Sequence, residues 1–391
     1  MTLMNTKRHH GPTAIARALA AICGLALLIP VAACGDNAPI DNDTGAPASG
    51  ITGNYAGAGA SSQQAAVEAW ISGFTSKNPG TSISYNPTGS GAGVTTFLTG
   101  ATAWASSDKA LSDQEVRESQ QACASGTAFD VPVYISPIAI AFNLAGVEAS
   151  DGSRAHLTMD AATIARIFNG SITRWNDAAL QRLNPNITLP DLPITVVHRS
   201  DKSGTTQNFV EYLKDAAPKD WNYDISENWP NEVGQGAKGS TGVINTIDQA
   251  NGTIGYADLS TIGSLGTVDI QVGDEAVPVS AEAAAKAIAD SSVAEHLYGD
   301  NRVVIDVNHT TTAKGAYPVV LVSYDIVCPV YRHSGTTDFA KAWLRYITSD
   351  AGQRMATRAA GAAPLPQNIV EHIQTSIDAM GADAKTLKEQ Q

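Results

Sequence analysis

Positive charge is scarce in this chain: 25 Lys and Arg stand against 38 Asp and Glu, a formal net charge of −13. That balance argues against nucleic-acid binding, which needs a basic face. It also sets a condition. If the ligand is an anion, the protein as a whole repels it, so the attraction must be local. Cysteine is scarce as well, with four in 391 residues and no C-x-x-C pair. The histidines show neither H-x-H nor H-E-x-x-H spacing, so no metal centre is expected. The apolar stretch 18–29 is shorter than the ~20 residues that span a bilayer. No repeat appears at solenoid or propeller spacing. A nucleophile elbow needs G-x-S-x-G, but Thr88 stands two before Ser90 and Asp201 two before Ser203. A Walker A loop fails on order, because Lys238 precedes Gly239 in GQGAKGST (234–241).

The N-terminus is informative. Lys7, Arg8 and Arg17 form a basic region without acids, and 18–29 is an apolar core, so 1–33 reads as a secretory signal peptide. Its end, Val31 to Cys34, resembles a bacterial lipobox, in which the cysteine is acylated and becomes the mature N-terminus. The alternative is an ordinary signal peptide with an incidental cysteine. Residues 34–50 are small, polar and turn-forming, and read as a flexible tether. The working part is then expected outside the cytoplasmic membrane, anchored by lipid on Cys34. Cys123 and Cys328 remain, an even pair in an oxidising compartment, as a disulfide or as two buried thiols.

The composition, 43% hydrophobic and 16% charged, fits a soluble globular protein of two medium domains. Short β-branched runs alternate with amphipathic stretches, which argues an α/β fold. Strands are expected at 81–87, 131–143, 193–199, 252–258, 268–272 and 317–327. Helices are expected at 61–76, 112–123, 159–170, 204–216, 280–292 and 336–358, with Ser112 and Glu115 as a capping box. The two long apolar strands suit chain crossings between lobes. One lobe would be 51–137 plus 318–391 and the other 138–317; the alternative is two sequential domains with a boundary near 275.

Four segments place glycine and hydroxyl residues at the mouth of a helix: GAGASSQQ (57–64), TGSGAGVTTF (88–97), SSDKALSDQE (106–115) and RSDKSGTTQ (199–207). Such mouths offer unpaired N–H groups and partial positive charge to anions. Arg199 adds a planar fork suited to oxyanions. Capping explains most loops of this kind singly, and Asp108 and Asp201 could be caps or a salt bridge to Arg199.

TGSGAG, SSDKALSD, IFNGSITRWND (167–177), LNPNITLPDLPITVVHRSDKSGTT and GTIGYAD together resemble the phosphate-binding protein of the bacterial phosphate ABC importer. The resemblance spans nearly the whole mature chain. It implies a two-lobed, Venus-flytrap periplasmic-binding-protein fold, each lobe a mixed sheet flanked by helices with two crossover strands. It implies a monomer that binds inorganic phosphate and serves a membrane permease, with no cofactor and no catalysis. Its ligand contacts carry over to Ser61, Ser90 and Asp108 on one lobe and to Arg199, Ser203, Gly204 and Thr205 on the other. Asp201 would orient Arg199. Ser62 stands where many members have phenylalanine, and carries over only through its backbone N–H. Asp108 would accept a proton from hydrogen phosphate and so reject sulfate. The other readings are a protein for another tetrahedral oxyanion or a phosphonate, and a surface phosphatase, which lacks an activated nucleophile here.

Overall fold

The computed structural model describes residues 50–147 and 156–381. The expected signal peptide, Cys34 and the tether as far as Ser49 lie outside the described residues. The described residues fall in one compact unit. Its strands begin with β1 (Gly53–Gly59), β2 (Thr81–Asn86), β3 (Trp104–Ser107), β4 (Cys123–Ser125), β5 (Phe129–Asn143), β6 (Leu157–Met159), β7 (Thr195–Arg199) and β8 (Gln235–Ala237). There follow β9 (Thr253–Asp258), β10 (Gly266–Val272), β11 (Glu275–Val277), β12 (Ser292–Val293), β13 (Ile305–Asp306), β14 (Val320–Val327) and β15 (Val330–Tyr331).

One mixed sheet of 11 strands runs β2-β1-β3-β14-β5-β9-β7-β8, with β6, β10 and β11 joined to it at β5. β1 is parallel to β2 and β3, and β7 is parallel to β8 and β9. Between these two parallel groups lie two long antiparallel partners, β14 and β5. Every residue of β5 except Asn143 is buried, as expected of a central strand covered on both faces. Phe129–Pro137 pairs with β14, whereas Ile138–Asn143 pairs with β9. Pro132, which cannot donate to the ladder, sits opposite the irregularity between Ser323 and Tyr324.

The helices are α1 (Gln64–Lys77), α2 (Ser90–Leu98), α3 (Asp113–Glu118), α4 (Ala161–Phe168), α5 (Ala178–Leu183), α6 (Gly204–Ala216), α7 (Gly239–Gln249), α8 (Ala281–Ala289), α9 (Thr336–Ile347), α10 (Asp350–Ala360) and α11 (Gln367–Ala379). They segregate two aromatic cores. Trp70, Phe74, Trp104, Phe339 and Trp343 form one, drawn from both ends of the folded unit. Phe168, Phe209, Trp221, Trp229 and Tyr256 form the other, from its middle.

The six expected strands and the Ser112–Glu115 capping box are present. The stretch 336–358 is two helices rather than one, because Ser349 caps α10 by accepting from Gly352 N–H. Gly352 is needed there: a Cβ would lie 2.3 Å from the Tyr346 carbonyl oxygen. The stretch 112–123 ends as a helix at Glu118 and turns through Ser119–Gln121 into β4. Cys123, on β4, is disulfide-bonded to Cys328, just past β14, which resolves the choice left open by counting.

Candidate anion-binding site

Four chain segments meet at the junction of the two parallel strand groups. From the first group come the turn after β1 with Ser61 and Ser62, the start of α2 with Ser90, and Asp108 after β3. From the second come Arg199 at the end of β7 and Ser203, Gly204 and Thr205 at the start of α6. Every expected contact residue therefore lies in one place. Asp108 and Arg199 are only 2% and 3% exposed, so water screens neither.

Asp108 is the hub. Ser62 Oγ donates to its carboxylate at 2.7 Å and Thr205 Oγ1, from the opposite group, at 2.8 Å. Its backbone N–H donates to Ser90 Oγ at 3.1 Å, and its carbonyl accepts from Asn208 Nδ2 at 2.6 Å. Burial pushes the Asp108 carboxyl up; hydrogen bonds from Ser323, Ser62 and Thr205 and the Arg199 charge oppose that. Ser62 differs from its expected part: its hydroxyl, and not only its backbone, belongs to the site, because serine is short enough to turn onto Asp108.

Arg199 is fixed by Asp201, which accepts from Nε at 2.8 Å and from one Nη at 2.5 Å. Asp201 also accepts from Gly239 N–H at 3.0 Å. Burial tends to raise the Asp201 carboxyl, but the Arg199 guanidinium overcomes it and holds it below the usual range. Ser203 caps α6, its Oγ accepting from Thr206 N–H at 3.1 Å, while its own N–H donates to the Glu227 carbonyl. The N–H groups of Gly204 and Thr205 open the helix and have no intrahelical acceptor.

Close approach demands glycine at two points. A Cβ on Gly204 would lie 2.7 Å from Asp108 Cβ and 2.8 Å from Ser90 Oγ. At Gly89, with φ of +95°, it would lie 2.5 Å from Asp201 Oδ2. The two groups of loops are thus in direct contact. Ser240 N–H also donates to Ser61 Oγ at 3.2 Å, and Lys109 sits between Glu115 at 2.8 Å and Glu227 at 4.0 Å.

Sequence reasoning missed Ser240, Asn208 and Ser323. A signal existed for Ser240, since the GAKGST run has the same glycine–hydroxyl opening as the other loops; Asn208 and Ser323 lie inside ordinary elements. Among the described residues, no group of three or more His, Cys, Asp or Glu is placed to hold a metal. None of the described helices is long and apolar enough to cross a membrane. The arrangement brings one buried guanidinium and one buried carboxylate to the openings of helices, where backbone N–H groups point outward.

Known proteins agree with this architecture. The family described as PBP superfamily domain matches residues 44–351. The phosphate-binding protein PstS 2 of Mycobacterium tuberculosis is 33% identical over 329 residues, covering 82% of this chain and 86% of that protein. The phosphate-binding protein PstS of Xylella fastidiosa is 32% identical, covering 81% and 83%. Among solved structures, the phosphate-binding protein of Stenotrophomonas maltophilia aligns with a TM-score of 0.61 at 18% identity, covering 83% of this chain and 94% of that one. PfluDING, a high-affinity periplasmic phosphate-binding protein solved with phosphate, aligns at 0.63 and 20%, covering 83% and 93%. The chain is therefore an α/β, two-lobed member of the PBP superfamily and belongs, within it, to the PstS family of phosphate-binding proteins.

Proposed function

We propose that this chain captures inorganic phosphate between its lobes and delivers it to an ABC permease, working outside the cytoplasmic membrane as a monomer held by lipid on Cys34. One lobe is 51–137 plus 318–391 and the other is 138–317. The change of partner along β5 between Pro137 and Ile138 supports that division, as does the aromatic core that joins the two ends of the folded unit.

The observation that carries the reading is the burial of Asp108, after β3, and of Arg199, at the end of β7, with the Arg199 charge acting on Asp108. Arg199 would supply charge and a free Nη. Ser61, Ser90, Ser203 and Thr205 would supply hydroxyls, and Ser62, Gly204 and Thr205 backbone N–H groups. Asp201 keeps the guanidinium in plane. A charge-assisted hydrogen bond contributes roughly 1.5–3 kcal/mol, so a handful reaches the about −8 kcal/mol of micromolar affinity despite the protein's net charge. Hydrogen phosphate can donate a hydrogen bond from its O–H to the Asp108 carboxylate. Sulfate near neutral pH has none, and would set a carboxylate against an anion. Binding in the cleft would favour the closed form by hinge motion. Calorimetry of the purified protein with phosphate, sulfate and arsenate tests this: phosphate is expected to bind at micromolar concentration or tighter, and sulfate far more weakly. Equal binding of sulfate, or no heat with phosphate, would sink it.

A further inference from the structure

Behind the site, β14 presents Ser323 and Asp325 two residues apart, on one face of the strand. Gln63, just before α1, is fully buried against both. Its Nε2 donates to Ser323 Oγ at 3.1 Å, and the Ser323 hydroxyl faces Asp108 and stabilises its charge. A hydroxyl that gives its proton to a carboxylate must accept from its other neighbour, which explains why Gln63 turns its NH2 toward Ser323. Gln63 Oε1 is then left buried without a donor. The same amide also faces the Asp325 carboxyl.

Asp325 is fully buried. Ser106 Oγ donates to Oδ1 at 3.0 Å and Trp343 Nε1 to Oδ2 at 3.1 Å. The groups packed on it carry no positive charge. β3 brings Ser106, α1 brings Gln63 and α9 brings Trp343. On β5 its register partner is Val131, and neighbouring Asp130 is paired with Arg302. Tyr85 from β2 and Tyr331 from β15 are the phenols that feel its charge, and burial keeps both neutral. Among the described residues, no Lys, Arg or His influences it. A buried carboxyl without a counterion favours its neutral form, and that form has one O–H to place. Gln63 Oε1 is a buried acceptor that lacks one.

We propose that Asp325 is a positioning residue for the anion site: as the neutral acid it donates to Gln63 Oε1, which aims the Gln63 NH2 at Ser323 and the Ser323 proton at Asp108. When Asp325 ionises, Gln63 turns its NH2 to the new charge, and Ser323 turns its proton to Gln63 Oε1. Asp108 then loses one donor, and a second uncompensated negative charge lies beneath the loops. Both changes disfavour an anion in the cleft. By linkage, a bound anion makes Asp325 hold its proton more tightly. Burial pushes Asp325 up to about 7, against hydrogen bonds from Trp343, Ser106 and Gln63 that lower it, so the switch falls near neutral pH.

This inference rests on phosphate as the ligand. Its test is the phosphate Kd of the wild-type protein and of Asp325→Asn, measured by calorimetry from pH 5.5 to 8.5. Their ratio cancels the ionisation of phosphate itself. It is expected near one at pH 5.5, with the wild type weaker by about fivefold or more at pH 8.5. A flat ratio overturns the proposal. Carbon NMR of the Asp325 carboxyl in the wild-type protein decides the matter if the variant fails to fold. A midpoint near neutrality that rises when phosphate is added is expected; a midpoint below pH 5, or one that phosphate does not move, overturns it. Absence of phosphate binding by the wild type at every pH would instead overturn the ligand assignment, and the apo titration would still report on Asp325.

Discussion

Asp108 is a buried carboxylate, raised by that burial and held by the hydroxyls of Ser62 and Thr205 from the two strand groups. Replacing it by Asn should reduce the preference for phosphate over sulfate by tenfold or more, a change of about 1.4 kcal/mol. Competition calorimetry measures it. In the wild type, sulfate binding should strengthen on acidification, because a protonated Asp108 becomes a donor; in Asp108→Asn that dependence should shrink to the part that Asp325 contributes. Asp325 makes a separate prediction about stability. Its folded midpoint is raised to about 7, so its contribution is fully present below the unfolded value near 4 and is lost as pH rises through 7. Between pH 5 and 8, Asp325→Asn should gain stability relative to the wild type, by about 2.5 kcal/mol. Denaturant melts at both pH values check the sign; a constant difference would be wrong for a buried neutral acid.

Elements explain what the residues could and could not reveal beforehand. β5 and β14 were legible because long apolar runs flag strands covered on both faces. Arg199, Asp201 and the Ser-Gly-Thr run stood out at the opening of an amphipathic stretch, but only the family resemblance separated them from an ordinary cap. β1 (GNYAGAG) was not expected as a strand, and α2 (SGAGVTTFL) was expected only through the helix mouth at 88–97, since glycine and alanine give neither a β-branched run nor a strong helical stripe. Their small residues serve approach rather than propensity. Asn208 was invisible for another reason: its partner, the Asp108 carbonyl, lies 100 positions away. The start of α6 supplies the prediction at this scale. Gly204→Ala leaves helix propensity intact or improved, yet its methyl would strike Asp108 and Ser90. Thermal stability without ligand should change little, while phosphate affinity should fall at least tenfold, because the lobes cannot close fully. Unchanged affinity would mean that the contact seen between α6 and Asp108 is not the binding geometry.

Across the whole molecule, β14 and β5 lie between the two parallel strand groups. The Cys123–Cys328 disulfide spans 205 positions within the expected first lobe, so it ties that lobe's early and late segments together. Reducing it should cost about 2–5 kcal/mol of stability and leave phosphate selectivity unchanged, which melts and titrations with and without reductant would show. The place of β14 has a further bearing on biogenesis. It lies between β3 and β5 in space but follows both by some two hundred positions in the chain. Until residues 320–327 arrive, β3 and the first half of β5 each keep an unpaired edge. A chain emerging N-terminus first thus stays unfinished, and open to chaperones, until its last fifth appears.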